Sequence, residues 1–210
     1  MPVTAYILTA LGAYLLGSIP FGFLVAKAKG IDIRSVGSGN IGATNAMRVL
    51  GKPAGIFVLL LDAAKGFAAV WLAIFLAKQF NVSLNLEKLA VIAGLCAVLG
   101  HNYTCWLKFK GGKGIATTAG VYLALAPTAL GIALIVFVLT VLVTRYVSLG
   151  SIVAAITLPI AVYFTRNNDT LNMVTLALGI LAIYKHKANL QRLMAGTENR
   201  LGKKKAEDVK

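Results

Sequence analysis

Acidic side chains are scarce in this sequence: 7 Asp and Glu among 210 residues, against 21 Lys and Arg. Histidine and cysteine each occur twice. Two cysteines, Cys96 in an apolar segment and Cys105 in a basic loop, exclude a disulfide scaffold and read as free thiols. Two cysteines so far apart do not make a metal site. Charge of either sign is sparse too: charged residues are 13% of the chain, about half the ~25% of a soluble domain. Hydrophobic residues make up 58%, and the mean hydropathy is +0.79. That balance excludes disorder and an ordinary soluble enzyme, and it describes an integral membrane protein. The surplus of base, a formal net charge of +14, is interleaved with membrane-length apolar runs. DNA is therefore a poor partner for it, whereas anionic lipid headgroups and phosphorylated small molecules fit.

Each bilayer crossing takes about 20 apolar residues as helix, because backbone groups in lipid must bond internally. The sequence predicts helices near 4–26, 53–77, 88–106, 115–126, 128–144, 148–164 and 171–186. The first is too long for a signal-peptide core, lacks a basic start and runs on into Ser18 and Pro20, so it is expected to remain in the mature protein. Residues 114–144 form either one long helix or two short ones that part at Pro127. With two, seventeen Lys and Arg fall on one side of the membrane (the loops 27–52, 107–114 and 145–147, and everything after 184). Lys78, Lys88 and Arg166 are left on the other. That asymmetry follows the positive-inside rule. The expected fold class is thus all-α, a polytopic membrane protein of about seven transmembrane helices, N-terminus outside and C-terminus cytoplasmic. Residues 1–200 form a single domain and 201–210 a basic tail. The short fourth helix is expected to be a partial or tilted span packed against protein.

The polar residues gather in three short stretches, all on the basic side. The first reads Gly37-Ser38-Gly39-Asn40-Ile41-Gly42-Ala43-Thr44-Asn45, then Arg48. Its glycines free the backbone so that successive N–H groups can converge on an anion. Ser38, Thr44 and Asn45 add neutral donors, and Arg48 adds a planar fork suited to phosphate oxygens. A flexible connector is the plainer alternative, but it rarely carries two Asn, a Thr and an Arg at helix-start spacing. The second stretch is His101-Asn102-Tyr103, then Lys108-Phe109-Lys110-Gly111-Gly112-Lys113-Gly114-Ile115-Ala116-Thr117. A glycine turn here opens into an apolar helix, whose amides and positive dipole end favour an anion. The spacing is not that of a P-loop, and three lysines also serve as topology signals. The third stretch holds Lys185, His186, Lys187, Asn189 and Arg192, then Gly196 and Glu198. His186, Asn189 and Arg192 recur every three residues on one helical face; a basic amphipathic tail lying on anionic lipid shows the same pattern. His101 is as consistent with a structural residue at the interface as with a functional one.

Asp62 and Lys65 lie one turn apart inside the second predicted helix. A lone charge there costs about 2.5–3.5 kcal/mol, so a neutralising structural pair is expected. The cytoplasmic carboxylates amount to Asp32, Glu198, Glu207 and Asp208, with no Asp-rich pair to hold Mg²⁺. There is no Ser-His-Asp order, no Gly-x-Ser-x-Gly elbow and no His-x4-Asp acyltransferase box. The chemistry open to such a chain is the positioning of anions and the stabilising of charge. A transporter of a phosphorylated anion is the alternative function, but transporters place polar residues along a midplane path, often with internal repeats. Here the clusters sit on one side.

Taken together, the stretches resemble the bacterial acyl-phosphate-dependent glycerol-3-phosphate acyltransferases. The matching positions are Gly17-Ser18-Ile19-Pro20 with Gly22; Gly37 to Asn40 and Gly42 to Asn45 with Arg48; Gly100-His101 with Phe109 and Gly111 to Gly114; and His186, Asn189, Arg192, Leu193, Gly196 and Glu198. Thr104 stands where the family usually has Pro, and Lys187 where it usually has Arg. The resemblance implies transfer of a long-chain acyl group from acyl phosphate to the 1-hydroxyl of glycerol 3-phosphate, without cofactor, metal or nucleic acid. Membrane lipids are its surroundings, and coupling to the enzyme that makes acyl phosphate is possible. It assigns catalysis to Ser38, Arg48, Lys113, His186 and Asn189. Substrate binding falls to Gly37, Gly39, Asn40, Thr44, Asn45, Gly111, Gly112, Gly114, Thr117, Ser148 and Glu198. The expected location is the bacterial inner membrane, with the site at its cytoplasmic face.

Overall fold

Proline sets the punctuation of the chain, and the computed structural model, which describes residues 2–80 and 86–202, follows it closely. The basic tail beyond residue 202, with Glu207 and Asp208, lies outside the described residues. Ten α-helices succeed one another among the described residues: α1 Pro2–Ser18, α2 Phe21–Lys27, α3 Ala43–Leu50, α4 Lys52–Gln79, α5 Leu86–Asn102, α6 Ile115–Leu125, α7 Pro127–Thr144, α8 Val147–Thr165, α9 Asp169–Lys185 and α10 Lys187–Met194. A 3₁₀ turn occupies Cys105–Leu107. Cys96 and Cys105 are both free.

The continuous helix predicted over 4–26 is broken. Pro20 supplies no N–H, and Ile19 before it is pushed out of the helical region. The carbonyls freed at the break find other donors: Thr104 Oγ1 donates to Ser18 O at 2.6 Å and Lys65 Nζ to Ile19 O at 2.7 Å. Thr104, a departure from the family pattern, therefore adds a bond that proline has no means to make. The stretch 114–144 does divide: α6 ends at Leu125, and Pro127 opens α7, where a missing N–H costs nothing.

Among the described residues, five segments are long and apolar enough to cross a membrane: Val3–Lys27, Lys52–Gln79, Leu86–Leu107, Pro127–Thr144 and Val147–Thr165. Helix α6, 11 residues, and α9, 17 residues, are shorter. Glycine sets how closely the helices approach. A Cβ at Gly17 would strike the Ala97 backbone and one at Gly100 the Tyr14 carbonyl, so α1 and α5 cross in direct backbone contact. Gly66 against Thr117 and Gly120 against Ala63 seat α6 along α4 in the same way. The core between these helices is rich in alanine (Ala13, Ala69, Ala73, Ala93, Ala97). Large apolar side chains such as Leu142, Val143, Phe164 and Met173 face outward instead, as lipid-facing surfaces do.

Candidate active site

The first polar stretch folds around a buried asparagine. Gly37 and Gly39 adopt φ of +62° and +70°, a region that favours glycine. The turn so formed aims the Ser38 amide at Asn45 Oδ1, 2.8 Å away. Asn45 Nδ2 donates to Val36 O at 3.1 Å and to Ile33 O at 3.3 Å. Asn45 is 2% exposed and its amide is fully spent on the loop. It shapes the turn and offers no donor to an anion, contrary to the expectation from sequence. Asn40 Oδ1 likewise accepts from the Gly42 amide at 2.8 Å. Helix α3 then carries Arg48 in its last turn, exposed, and Thr44 on its outer surface. The turn is tied to the membrane helices because Gly22 of α2 lies against the Ile41 carbonyl, with Ile33, Ala46 and Val58 packed beneath.

The second stretch rests on the end of α5. The Gly112 amide donates to His101 O at 3.0 Å and the Gly111 amide to Asn102 O at 3.2 Å. Those two amides are therefore committed to protein and do not face a ligand, a correction to the expected cradle of loop amides. Gly114, with φ of +83°, opens α6. Thr117 is fully buried in the α4–α6 contact, away from any open surface, so its hydroxyl is not a substrate contact. Lys113 projects from this loop and donates to Asn189 Oδ1.

The third stretch is bent. Helix α9 ends at Lys185, His186 forms the junction, and α10 carries Asn189 and Arg192, so the three do not share one helix as the spacing implied. Glu198, beyond α10, gathers three donors: Ser148 at 2.9 Å, Asn189 Nδ2 at 2.7 Å and Arg192 Nε at 2.7 Å. Burial pushes its carboxyl up, but the bonds from Asn189, Arg192 and Ser148 outweigh it and hold the pKa below the usual carboxylate range. Ser148 and Glu198 thus satisfy each other, and Glu198 serves to orient Asn189. The Leu201 amide reaches Arg145 O at 2.8 Å, which straps this segment across the α7–α8 turn.

All three stretches meet at one end of the bundle. Asn40 from the first, Tyr103 and Gly111 to Lys113 from the second, and Tyr184, Lys185 and Lys187 from the third line a cavity of about 380 Å³. Lys185 lies over the Tyr103 ring at 4.5 Å and Lys187 over Tyr184 at 4.9 Å. Lys113 stands between this cavity and the Asn189–Glu198–Ser148 network. Burial pushes its ammonium down to about 8, Glu198 opposing the fall and Arg192, Arg48 and Lys185 adding to it. His186 is 3% exposed; burial, then the Lys113 charge, bring its pKa to about 4. Its Nδ1–H donates to Ala182 O at 2.8 Å, leaving Nε2 of a neutral ring as an acceptor. Tyr103, Lys185, Lys187 and Arg192 belong to the second and third stretches, but sequence alone assigns them no catalytic or binding role. The alternation of base and aromatic around 184–187 was the available signal. A larger hollow, about 500 Å³, lies at the opposite end beside Glu87 and Arg166 and contains none of the expected residues.

A family model described as glycerol-3-phosphate acyltransferase matches residues 7–196. The chain belongs to that family. A glycerol-3-phosphate acyltransferase of Desulforamulus reducens is 48% identical over 95% of this chain and 96% of its own, and one of Clostridioides difficile is 44% identical over 98% and 100%. The crystal structure of PlsY, an integral membrane glycerol 3-phosphate acyltransferase, in its glycerol 3-phosphate form superposes with a TM-score of 0.86 at 41% identity, covering 94% of this chain and 96% of that one. Its lysophosphatidic acid form gives 0.83 at 40% identity, over 94% and 95%. This acyltransferase is an integral membrane protein with a glycerol-3-phosphate acyltransferase's activity. Its long apolar helices are the candidate membrane spans.

Proposed function

We propose that this acyltransferase moves a long-chain acyl group from acyl phosphate to the 1-hydroxyl of sn-glycerol 3-phosphate, giving lysophosphatidic acid and inorganic phosphate. The observation that carries the reading is the meeting of three basic or glycine-rich stretches around Lys113, beside a cavity whose charged lining is cationic. Both reactants are anions, and one drags an acyl chain, so a basic pocket where helices emerge from lipid suits both. The topology that goes with this reading has α6 and α9 crossing as well, seven spans in all. The N-terminus is then outside, and the site faces the cytoplasm of a bacterial inner membrane. Residues 1–200 form one domain, and 201–210 a basic tail.

The donor is a mixed anhydride, activated without help from a covalent enzyme intermediate. The glycerol oxygen attacks the acyl carbon, the bond from that carbon to the phosphate oxygen breaks, and phosphate leaves with the electron pair. Lys113 and Arg48 stabilise the charge that develops on the departing oxygen, with Ser38 as a neutral donor. Asn189, oriented by Glu198, positions glycerol 3-phosphate. The hydroxyl proton passes to a substrate phosphate oxygen, and His186 Nε2 accepts a hydrogen bond from glycerol 3-phosphate without taking the proton. The test supplies purified protein and glycerol 3-phosphate with palmitoyl phosphate or palmitoyl-CoA in parallel. Lysophosphatidic acid is expected from the phosphate donor alone; product from the thioester alone overturns the assignment. The same assay repeated in EDTA is expected to proceed at an unchanged rate.

A further inference from the structure

Three ionisable side chains sit together in the helical interior, apart from the site. Asp62 Oδ1 lies 2.8 Å from Lys65 Nζ and 3.5 Å from His101 Nδ1, and none of the three is more than 4% exposed. Apolar helices in lipid gain little from the hydrophobic effect when they turn about their axes, so close packing and polar contacts must fix their rotation. A buried ion pair adds little net stability over apolar residues of the same volume, and its best-attested use is to fix register.

The register fixed here is that of the end of α5. His101 and Asn102 supply the carbonyls that hold the Gly112 and Gly111 amides. The imidazole edge of His101 bearing Nε2 lies so close to Gly112 that any Cβ there would collide with it, and Gly114 abuts the Asn102 side chain. Lys185 closes the far side by donating to Asn102 O at 3.1 Å. Rotating or withdrawing His101 therefore moves Gly111 and Gly112, and with them Lys113, which must still reach Asn189. Lys65 anchors the other side of Asp62 to the α1–α2 break through Ile19 O.

We propose that Asp62 and His101 are positioning residues for the acyl-phosphate half of the site: the carboxylate, 3.5 Å from Nδ1, flanks the imidazole without a hydrogen bond to it, and the imidazole packed on Gly112 sets the height of the glycine loop that presents Lys113. This rests on the acyl-phosphate reading above. His101→Gln leaves the Asp62–Lys65 pair intact, so no lone charge is buried. The double variant Asp62→Leu/Lys65→Met removes both charges at similar volume. In each, the KM for palmitoyl phosphate is expected to rise at least ~10-fold, about 1.4 kcal/mol of phosphate binding lost as Lys113 shifts. The KM for glycerol 3-phosphate stays within twofold; the double variant also forfeits the Lys65 Nζ–Ile19 O bond and melts lower, so His101→Gln, which keeps that bond, carries the comparison of KM values. Hydrogen exchange in the peptide covering Gly111 and Gly112 is expected to quicken in both. A folded variant with an unchanged donor KM, an equal rise in both KM values, or unaltered exchange overturns the proposal. Wild-type turnover is measured first: if palmitoyl phosphate is not used at all, the donor reading fails by itself, while the exchange rates still report on the loop.

Discussion

Lys113→Gln removes an ammonium that is partly buried, reaches Asn189 and carries a pKa of about 8. Two quantities follow. Losing a preorganised cationic donor at a developing oxyanion costs about 2.7–4 kcal/mol, so kcat/KM for acyl phosphate is expected to fall ~10²–10³-fold. The second concerns pH. Burial lowers the pKa, and the charged form is the one that binds phosphate, so activity is present below pH 8 and lost as pH rises through it. At pH 9 about a tenth of Lys113 is charged, and kcat/KM should fall about tenfold per unit beyond. The second ionisation of a phosphate monoester lies near 6, well clear of this limb. Lys113→Arg keeps a charge that does not titrate, so its alkaline limb should move beyond pH 9.5 even if its maximum is lower. The assay is orthophosphate release at limiting palmitoyl phosphate, from pH 6.5 to 10. A wild-type profile flat to pH 10, or a glutamine variant retaining more than a tenth of activity, refutes the placement of Lys113 at the reacting phosphate.

Glu198→Gln weakens a carboxylate that holds Ser148, Asn189 and Arg192; it should raise the KM for glycerol 3-phosphate and cost about 1.5–3 kcal/mol of stability, read by denaturation in detergent. His186→Ala is expected to raise the KM for glycerol 3-phosphate with kcat nearly unchanged, whereas a collapse of kcat identifies a general base. Gly112→Ala drives a methyl group into the His101 ring and should abolish turnover; Gly131→Ala, which meets nothing within 4 Å, should leave activity intact and give a useful control.

Much of the helical layout was legible because its signals are local. Apolar runs, Pro20, Pro127 and the glycine turns act over a few residues, and the Asp62–Lys65 pair follows from helical spacing alone. The first helix was read as continuous because Pro20 lies within an apolar run whose period survives the break. The roles of Asn45 and Glu198 were not legible, since both depend on partners set by tertiary structure. Asn45 looks like a free donor until the turn at Gly37 points the Ser38 amide at it. Glu198 looks like a substrate contact until α8 brings Ser148, fifty residues away in sequence, within 2.9 Å. The committed amides of Gly111 and Gly112 were hidden for the same reason, because the carbonyls they meet lie at the end of another helix. Charge was the exception among long-range features: among the described residues, Lys113 of the second basic stretch and Lys185 and Lys187 of the third do converge with Asn40 of the first at one end of the bundle.

The central claim is direct acyl transfer between two anions held at one basic site, and an isotope experiment tests it most directly. Palmitoyl phosphate carrying ¹⁸O in its bridging position is mixed with purified enzyme and glycerol 3-phosphate in a single turnover. The account predicts that all of the label leaves in orthophosphate, that lysophosphatidic acid appears in equal amount, and that no phosphate is released when glycerol 3-phosphate is withheld. Orthophosphate released at the same rate without the acceptor, or label retained in the lipid product, contradicts it.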